Sequence, residues 1–141
     1  MKRCSIIFHS VCGNNYLIAT ALQDALKEEE IDARLYHVED DDLHIWANKL
    51  ESANDYYEEI SDLPIANAET LLKSDLVILG SPTYFGNVSA EMKSFMDNSS
   101  IYFNEGNLSG KYFACFTSCS YSEGGGSLTL QAMLHYAQHM G

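Results

Sequence analysis

LVILGSPTYFGN, residues 76–87, decides how this chain reads. Leu76-Val77-Ile78-Leu79 is a short continuous apolar run, the pattern of a strand buried on both faces. It breaks at Gly80 into Ser81, Pro82, Thr83, the aromatics Tyr84 and Phe85, then Gly86 and Asn87; Ala90-Glu91-Met92-Lys93 beyond them reads as helix. A strand that opens into a loop ahead of a helix leaves backbone N–H groups uncommitted. With a Pro kink and flat side chains beside them, such a loop suits a planar heteroaromatic ligand with polar edges. The competing reading is a Pro-Thr turn with Tyr84 and Phe85 packed inward.

Working outward, residues 4–8 form a first apolar strand, followed by a loop at 9–14. Leu17, Ile18, Ala21, Leu22, Ala25 and Leu26 then repeat at helical spacing, with Asn14 or Asn15 available as the cap. Ala33 to Val38 predicts a second strand, so the first third of the chain is a βαβ unit with parallel strands and a right-handed crossover. Leu43, Trp46, Leu50, Ala53, Tyr57 and Ile60 are spaced for one amphipathic helix within 39–65, an insertion that would lie over a sheet edge. Ala68 to Lys73 predicts a short helix. Met92, Phe95, Met96 and Ser99 give the next helix a narrow apolar face, Tyr112 to Phe116 is the fourth strand, and Leu130, Met133, Leu134 and Ala137 mark a last helix. The order predicts an α/β fold, an open doubly wound parallel sheet, in a single domain of 141 residues. In such sheets ligands bind beyond the carboxyl ends of the strands, at the switch point. Loops 9–15, 80–87 and 117–126 fall on that edge and are rich in Ser, Thr, Asn and Gly; the loop after strand two is acidic and belongs to one side.

Composition narrows the function classes. The net charge is −12, from 8 basic and 20 acidic residues, which argues against nucleic acid because nothing would replace counterions on phosphates. Fourteen of the acids lie between Asp24 and Asp62, either as a solvated face or as a docking patch for a basic partner. No apolar stretch approaches the roughly 20 residues of a membrane span. Met1 to Phe8 is too short in its apolar part for a signal segment, so the expected location is cytoplasmic. Cys4 and Cys115 sit in apolar runs as small hydrophobes, and Cys4, Cys12, Cys115 and Cys119 match no zinc or iron–sulfur spacing. His135 and His139 are half a metal site without a third ligand nearby, so no metal is expected.

The first loop, His9-Ser10-Val11-Cys12-Gly13-Asn14-Asn15-Tyr16, opens a helix whose free N–H groups and dipole favour a phosphate. It holds no Lys or Arg, so backbone amides, the Ser10 hydroxyl and the Asn side chains would do the holding; an ordinary capped turn is the alternative. It is neither GxGxxG nor a P-loop. The third loop, from Thr117 to Gly126, is polar with one aromatic, Tyr121, and its glycines at 124–126 allow close backbone approach or a mobile turn.

These residues resemble the flavodoxin-like family, closest to the NAD(P)H-dependent FMN reductases and the quinone oxidoreductases of the tryptophan-repressor-binding-protein type. Gly80 to Asp97 resembles that group's central motif, Ser10 to Tyr16 its phosphate loop, and Phe116-Thr117-Ser118 with Gly124-Gly125-Gly126 its third cofactor loop. The resemblance spans the chain apart from 39–65. It implies FMN, with Ser10, Cys12, Gly13, Asn14, Asn15 and Tyr16 around the phosphate. Pro82, Thr83, Tyr84, Phe85, Gly86 and Asn87 would line the isoalloxazine, and Thr117, Ser118 and Tyr121 would flank its other side. Two departures stand out. Cys12 replaces a hydroxyl residue, and a thiol is a weak donor. The sequence also lacks the fifth strand and final helix of the family, which would leave strand four an exposed apolar edge.

The resemblance implies an oxidoreductase that takes hydride from NAD(P)H and passes electrons through the flavin to a quinone or other small acceptor. That chemistry requires no acid–base dyad, and no residue is assigned as a proton donor. It further implies a homo-oligomer. Two other readings stay open: an electron-carrier flavodoxin, which the negative charge would steer to basic redox partners, and a shortened flavodoxin-like interaction module without flavin. NADH and NADPH are not distinguished.

Overall fold

The computed structural model describes residues 1–141. Four strands, β1 (Arg3–Phe8), β2 (Asp32–His37), β3 (Leu76–Pro82) and β4 (Tyr112–Ser118), form one sheet in the order β2-β1-β3-β4, and every pair is parallel. The order reverses direction between β1 and β3, which places the switch point where the first and second loops emerge.

The pleat decides the two cores. Along β1, Cys4, Ile6 and Phe8 point to one face and Ile7 to the other; along β3, Ile78 joins the first set while Val77 and Leu79 join the second. Helix α1 (Asn14–Glu28) covers the first face. The second face is covered by α5 (Ala68–Leu72), α6 (Ala90–Asn98) and α7 (Gly126–Met140), through Leu71, Met92, Phe95, Met96 and Met133. β4 is an edge strand, and Tyr112 and Ala114 on it are exposed, as expected of a sheet without a fifth strand.

Several local expectations are corrected. The stripe of α1 that meets the sheet is Asn15, Ala19, Leu22 and Leu26, while Leu17, Ala21 and Ala25 face out. Asn15 sets that rotation: its Nδ2 donates to the His9 carbonyl, drawing a polar side chain inward at the first turn. Neither Asn14 nor Asn15 caps the helix, because Gly13 holds the cap position in a left-handed conformation, φ 97°. The one helix expected within 39–65 is three short ones, α2 (Leu43–Lys49), α3 (Glu51–Asn54) and α4 (Tyr57–Ser61). Leu43, Ala53 and Ile60 are buried, but extended backbone at Leu50 breaks the helix and leaves Trp46 and Leu50 exposed. Leu134 of α7 also faces solvent. The two site-forming strands run further than their apolar runs: register continues through Ser81 against Thr117 and Pro82 against Ser118, so Gly80-Ser81-Pro82 is strand rather than loop.

Candidate functional site

Three loops meet beyond the carboxyl ends of β1, β3 and β4. The first runs from His9 to Gly13. Ser10 is buried and its Oγ accepts the N–H groups of Gly13 (3.2 Å) and Tyr16 (3.3 Å). The N–H groups of Val11, Cys12, Asn14 and Asn15 have no acceptor in the chain. Four free donors at the start of a 15-residue helix are an anion site in the making. Gly13 is required twice over, by its positive φ and because a Cβ there would fall 2.2 Å from the Tyr56 ring. Tyr56 also packs on Tyr16, with ring centroids 5.6 Å apart, and the Ser52 hydroxyl donates to the Cys12 thiol at 3.6 Å. The 39–65 segment therefore lies on the first-loop side of the site.

The second loop is a tight turn. Tyr84 and Asn87 exchange backbone hydrogen bonds, with Phe85 (φ 53°) and Gly86 (φ 72°) both left-handed between them. A left-handed Phe is strained by about 1–2 kcal/mol. This turn leaves the Phe85 and Gly86 N–H groups unpaired and the Phe85 ring wholly exposed. The third loop is stitched to the second: Thr83 N–H donates to the Ser118 carbonyl (3.0 Å), and Thr117 Oγ1 bonds both Thr83 Oγ1 and the Ser81 carbonyl (2.7 Å each). Gly125 lies against Gly86, where a Cβ would meet the Gly86 Cα at 2.9 Å. The close approach that the glycines allow is thus between two loops. Ser118 Oγ donates to Asn15 Oδ1 at 2.9 Å, tying the third loop to the first.

Between the loops lies a cleft of about 210 Å³. Of the residues expected at the site, it brings together Ser10, Cys12, Asn14, Asn15, Pro82, Thr83, Tyr84 and Ser118. Val11, Cys119 and Ser120 line it as well and were not anticipated. Gly13, Gly86, Asn87 and Thr117 shape the loops without lining the cleft. Tyr16 turns inward between Phe8 and Tyr56, while Phe85 and Tyr121 point to solvent.

No charged side chain lines this cleft. Two larger hollows beside it, of about 470 and 410 Å³, are lined by Asp40, Asp42 and Glu91, joined in the second by Glu39 and Asp41. A phosphate would be repelled there, whereas the smaller cleft has no charged side chain and is bordered by free N–H groups.

Beneath the first loop lies a buried polar knot that sequence reasoning missed. His9 bonds Asp40 Oδ2 through Nε2 and Ser89 Oγ through Nδ1, each at 2.8 Å, and Glu91 lies 3.7 Å from Nδ1. Ser89 also caps α6 by accepting the Met92 N–H, so one hydroxyl joins the helix start to the His9 ring. His9, Asp40 and Glu91 are close enough to be read as metal ligands, but both ring nitrogens of His9 are already engaged. Burial alone would raise the Asp40 carboxyl; the His9 hydrogen bond and the Asp42 N–H outweigh it and hold it below the usual carboxylate range. His37 is pushed down to about 4, first by burial and then by nearby His9. Burial, with Glu91, Cys12 and Asp40 nearby, raises the Tyr84 phenol. Ser89, within the central motif and just ahead of Ala90, signals the helix cap. His37 and Asp40 could not be found, because only the register Phe8–His37 brings them to the loop.

A family model for NADPH-dependent FMN reductase matches residues 7–141. The chain is 36% identical over 137 residues to an NAD(P)H dehydrogenase (quinone) of Archaeoglobus fulgidus, covering 95% of this chain and 70% of that protein. Among solved structures it resembles the flavodoxin, WrbA-like protein from Agrobacterium tumefaciens, with a TM-score of 0.71 and 22% identity over 100% of this chain and 74% of that one. It also resembles FerB, the flavoenzyme NAD(P)H:(acceptor) oxidoreductase from Paracoccus denitrificans, with a TM-score of 0.67 and 20% identity over 100% of this chain and 73% of that one. The structural likenesses establish a flavodoxin-like fold. The sequence matches go further: this chain belongs to the NADPH-dependent FMN reductase family.

Proposed function

We propose that this chain holds FMN in the cleft, its phosphate on loop 10–16, and passes electrons from NAD(P)H to a quinone or another small acceptor. One observation carries the reading: four backbone N–H groups without acceptors, at Val11, Cys12, Asn14 and Asn15, in an uncharged cleft of a protein with net charge −12. Family membership supplies the rest.

FMN, when bound, supplies the two-electron chemistry between the nicotinamide and the acceptor. The chain's own part is to hold and orient. The N–H groups of residues 11–15 would take the phosphate, with the Asn15 and Ser118 side chains fixed against each other beside it. The unpaired Phe85 and Gly86 N–H groups would donate to the polar edge of the ring system. Thr83, held by Thr117, and Tyr84 would form its wall. Exposed Phe85 and Tyr121, on loops that border the cleft, support a homo-oligomer in which a neighbouring copy covers them. No helix is long and apolar enough to cross a membrane, which agrees with a cytoplasmic place of work.

The test is an FMN titration of the purified chain, read by flavin fluorescence, followed by anaerobic NADH and NADPH oxidation with a quinone. Stoichiometric binding with multiple turnovers is the expected result. Binding with no turnover would favour an electron carrier, a role the acidic surface also suits. No binding at high excess of FMN would overturn the proposal.

A further inference from the structure

The first loop is organised by Ser10, whose Oγ accepts the Gly13 and Tyr16 N–H groups and so closes residues 10–16 around the four unpaired donors. Ser10 in turn is fixed from outside the loop. The last ladder bonds at the end of β1 are Val38 N–H to the Phe8 carbonyl and His9 N–H to the Gly80 carbonyl. Ser10 N–H lies one residue past the ladder, and no backbone carbonyl receives it. It donates instead to His37 Nε2, at 3.0 Å, on a ring that is 2% exposed. A ring nitrogen that accepts carries no proton, so this geometry requires neutral His37 with its proton on Nδ1. Phe8 packs edge-on against the ring at 5.4 Å and His9 lies 5.5 Å away. Asp40, Leu43, His44, Tyr57 and Ile60 enclose the hollow on its other side.

We propose that His37 is a positioning residue for the cofactor phosphate: by holding the Ser10 N–H it fixes the curvature of loop 10–16 and keeps the N–H groups of residues 11–15 in place for one phosphate. The inference rests on the FMN reading above. Its effect falls on the phosphate and spares the rings, because the His37 ring bonds Ser10 and packs on Phe8 and His9, with no hydrogen bond to the second or third loop.

The experiment compares Kd for FMN and for riboflavin, which lacks the phosphate, in the wild type, His37→Leu and His37→Gln. The Leu variant leaves the Ser10 N–H unpaired; the Gln amide oxygen can still accept it. His37→Leu is expected to weaken FMN by about tenfold and riboflavin by less than about twofold, and His37→Gln to recover most of the FMN affinity. Equal losses for the two flavins would show a merely structural role and overturn the proposal. So would unchanged FMN affinity, or a Gln variant no better than Leu. Should His37→Leu fail to fold, ring ¹⁵N spectra of the wild-type chain decide: an unprotonated Nε2 coupled to the Ser10 amide at neutral pH is expected, and a protonated Nε2 overturns the proposal. A wild type that binds neither flavin removes the FMN reading and this inference together. One that binds FMN with a protonated Nε2 removes this inference alone.

Discussion

Gly13 shows how one residue can serve both fold and site. Its φ of 97° is a conformation that costs an L-residue about 1–2 kcal/mol, and the Tyr56 ring fills the space where a Cβ would go. Gly13→Ala is therefore expected to destabilise the chain by about 2 kcal/mol and to weaken FMN by more than about tenfold, since the loop must move to relieve either problem. Thermal unfolding and flavin fluorescence measure the two effects; unchanged FMN affinity would mean that the loop does not hold the phosphate. The glycine was visible in the sequence, but the reason for it was not, because Tyr56 lies 43 positions away. Separations of 31 and 80 positions hid the His9–Asp40–Ser89 knot in the same way. A residue in a sequence motif announces its type, whereas a partner brought by strand register announces nothing.

Elements carried more of their reading in the sequence. Period and apolar runs placed all four strands and the helices at 14–28, 68–72, 90–98 and 126–140 within a few residues. The errors came where tertiary contacts overrule pattern. β3 and β4 outrun their apolar residues because each supplies the other's ladder through Ser81–Thr117 and Pro82–Ser118. α1 is rotated by buried Asn15, which no hydrophobic count would place in a core. Within 39–65, six apolar positions at helical spacing could not show that the chain turns at Leu50. The union of β3 with β4 continues past the sheet in the Thr117 hydroxyl, which bonds Thr83 and the Ser81 carbonyl. Thr117→Val keeps the shape and removes both bonds, leaving Thr83 Oγ1 without its partner. The expected cost is about 1–3 kcal/mol in stability, together with a lower affinity for FMN and riboflavin alike, because the ring-side loops loosen. Urea unfolding and the two titrations check this, and a loss confined to FMN would contradict it.

For the molecule as a whole, pH pulls stability in two directions. At neutral pH the chain carries net charge −12, and acidification relieves that self-repulsion. His37 works the other way. Its pKa is about 4 in the folded chain against about 6.5 when unfolded, so between those values the unfolded chain binds one more proton than the folded one. Stability from this group is complete above the unfolded value and is lost as pH falls toward the folded one. Asp40, whose carboxyl is held low, adds its own loss only below the usual carboxylate range, outside that window. Between about pH 7 and pH 5 the His37 contribution should fall by about 2 kcal/mol. General charge relief is common to any variant of the same surface, so a difference separates the two effects. His37→Gln removes the titrating ring and keeps the rest, so urea unfolding of the flavin-free chain at both pH values should show wild type losing about 2 kcal/mol more than the variant. Parallel pH profiles would mean that His37 takes up its proton as readily in the folded chain as in the unfolded one, so that neither burial nor the Ser10 N–H holds the ring neutral as pH falls.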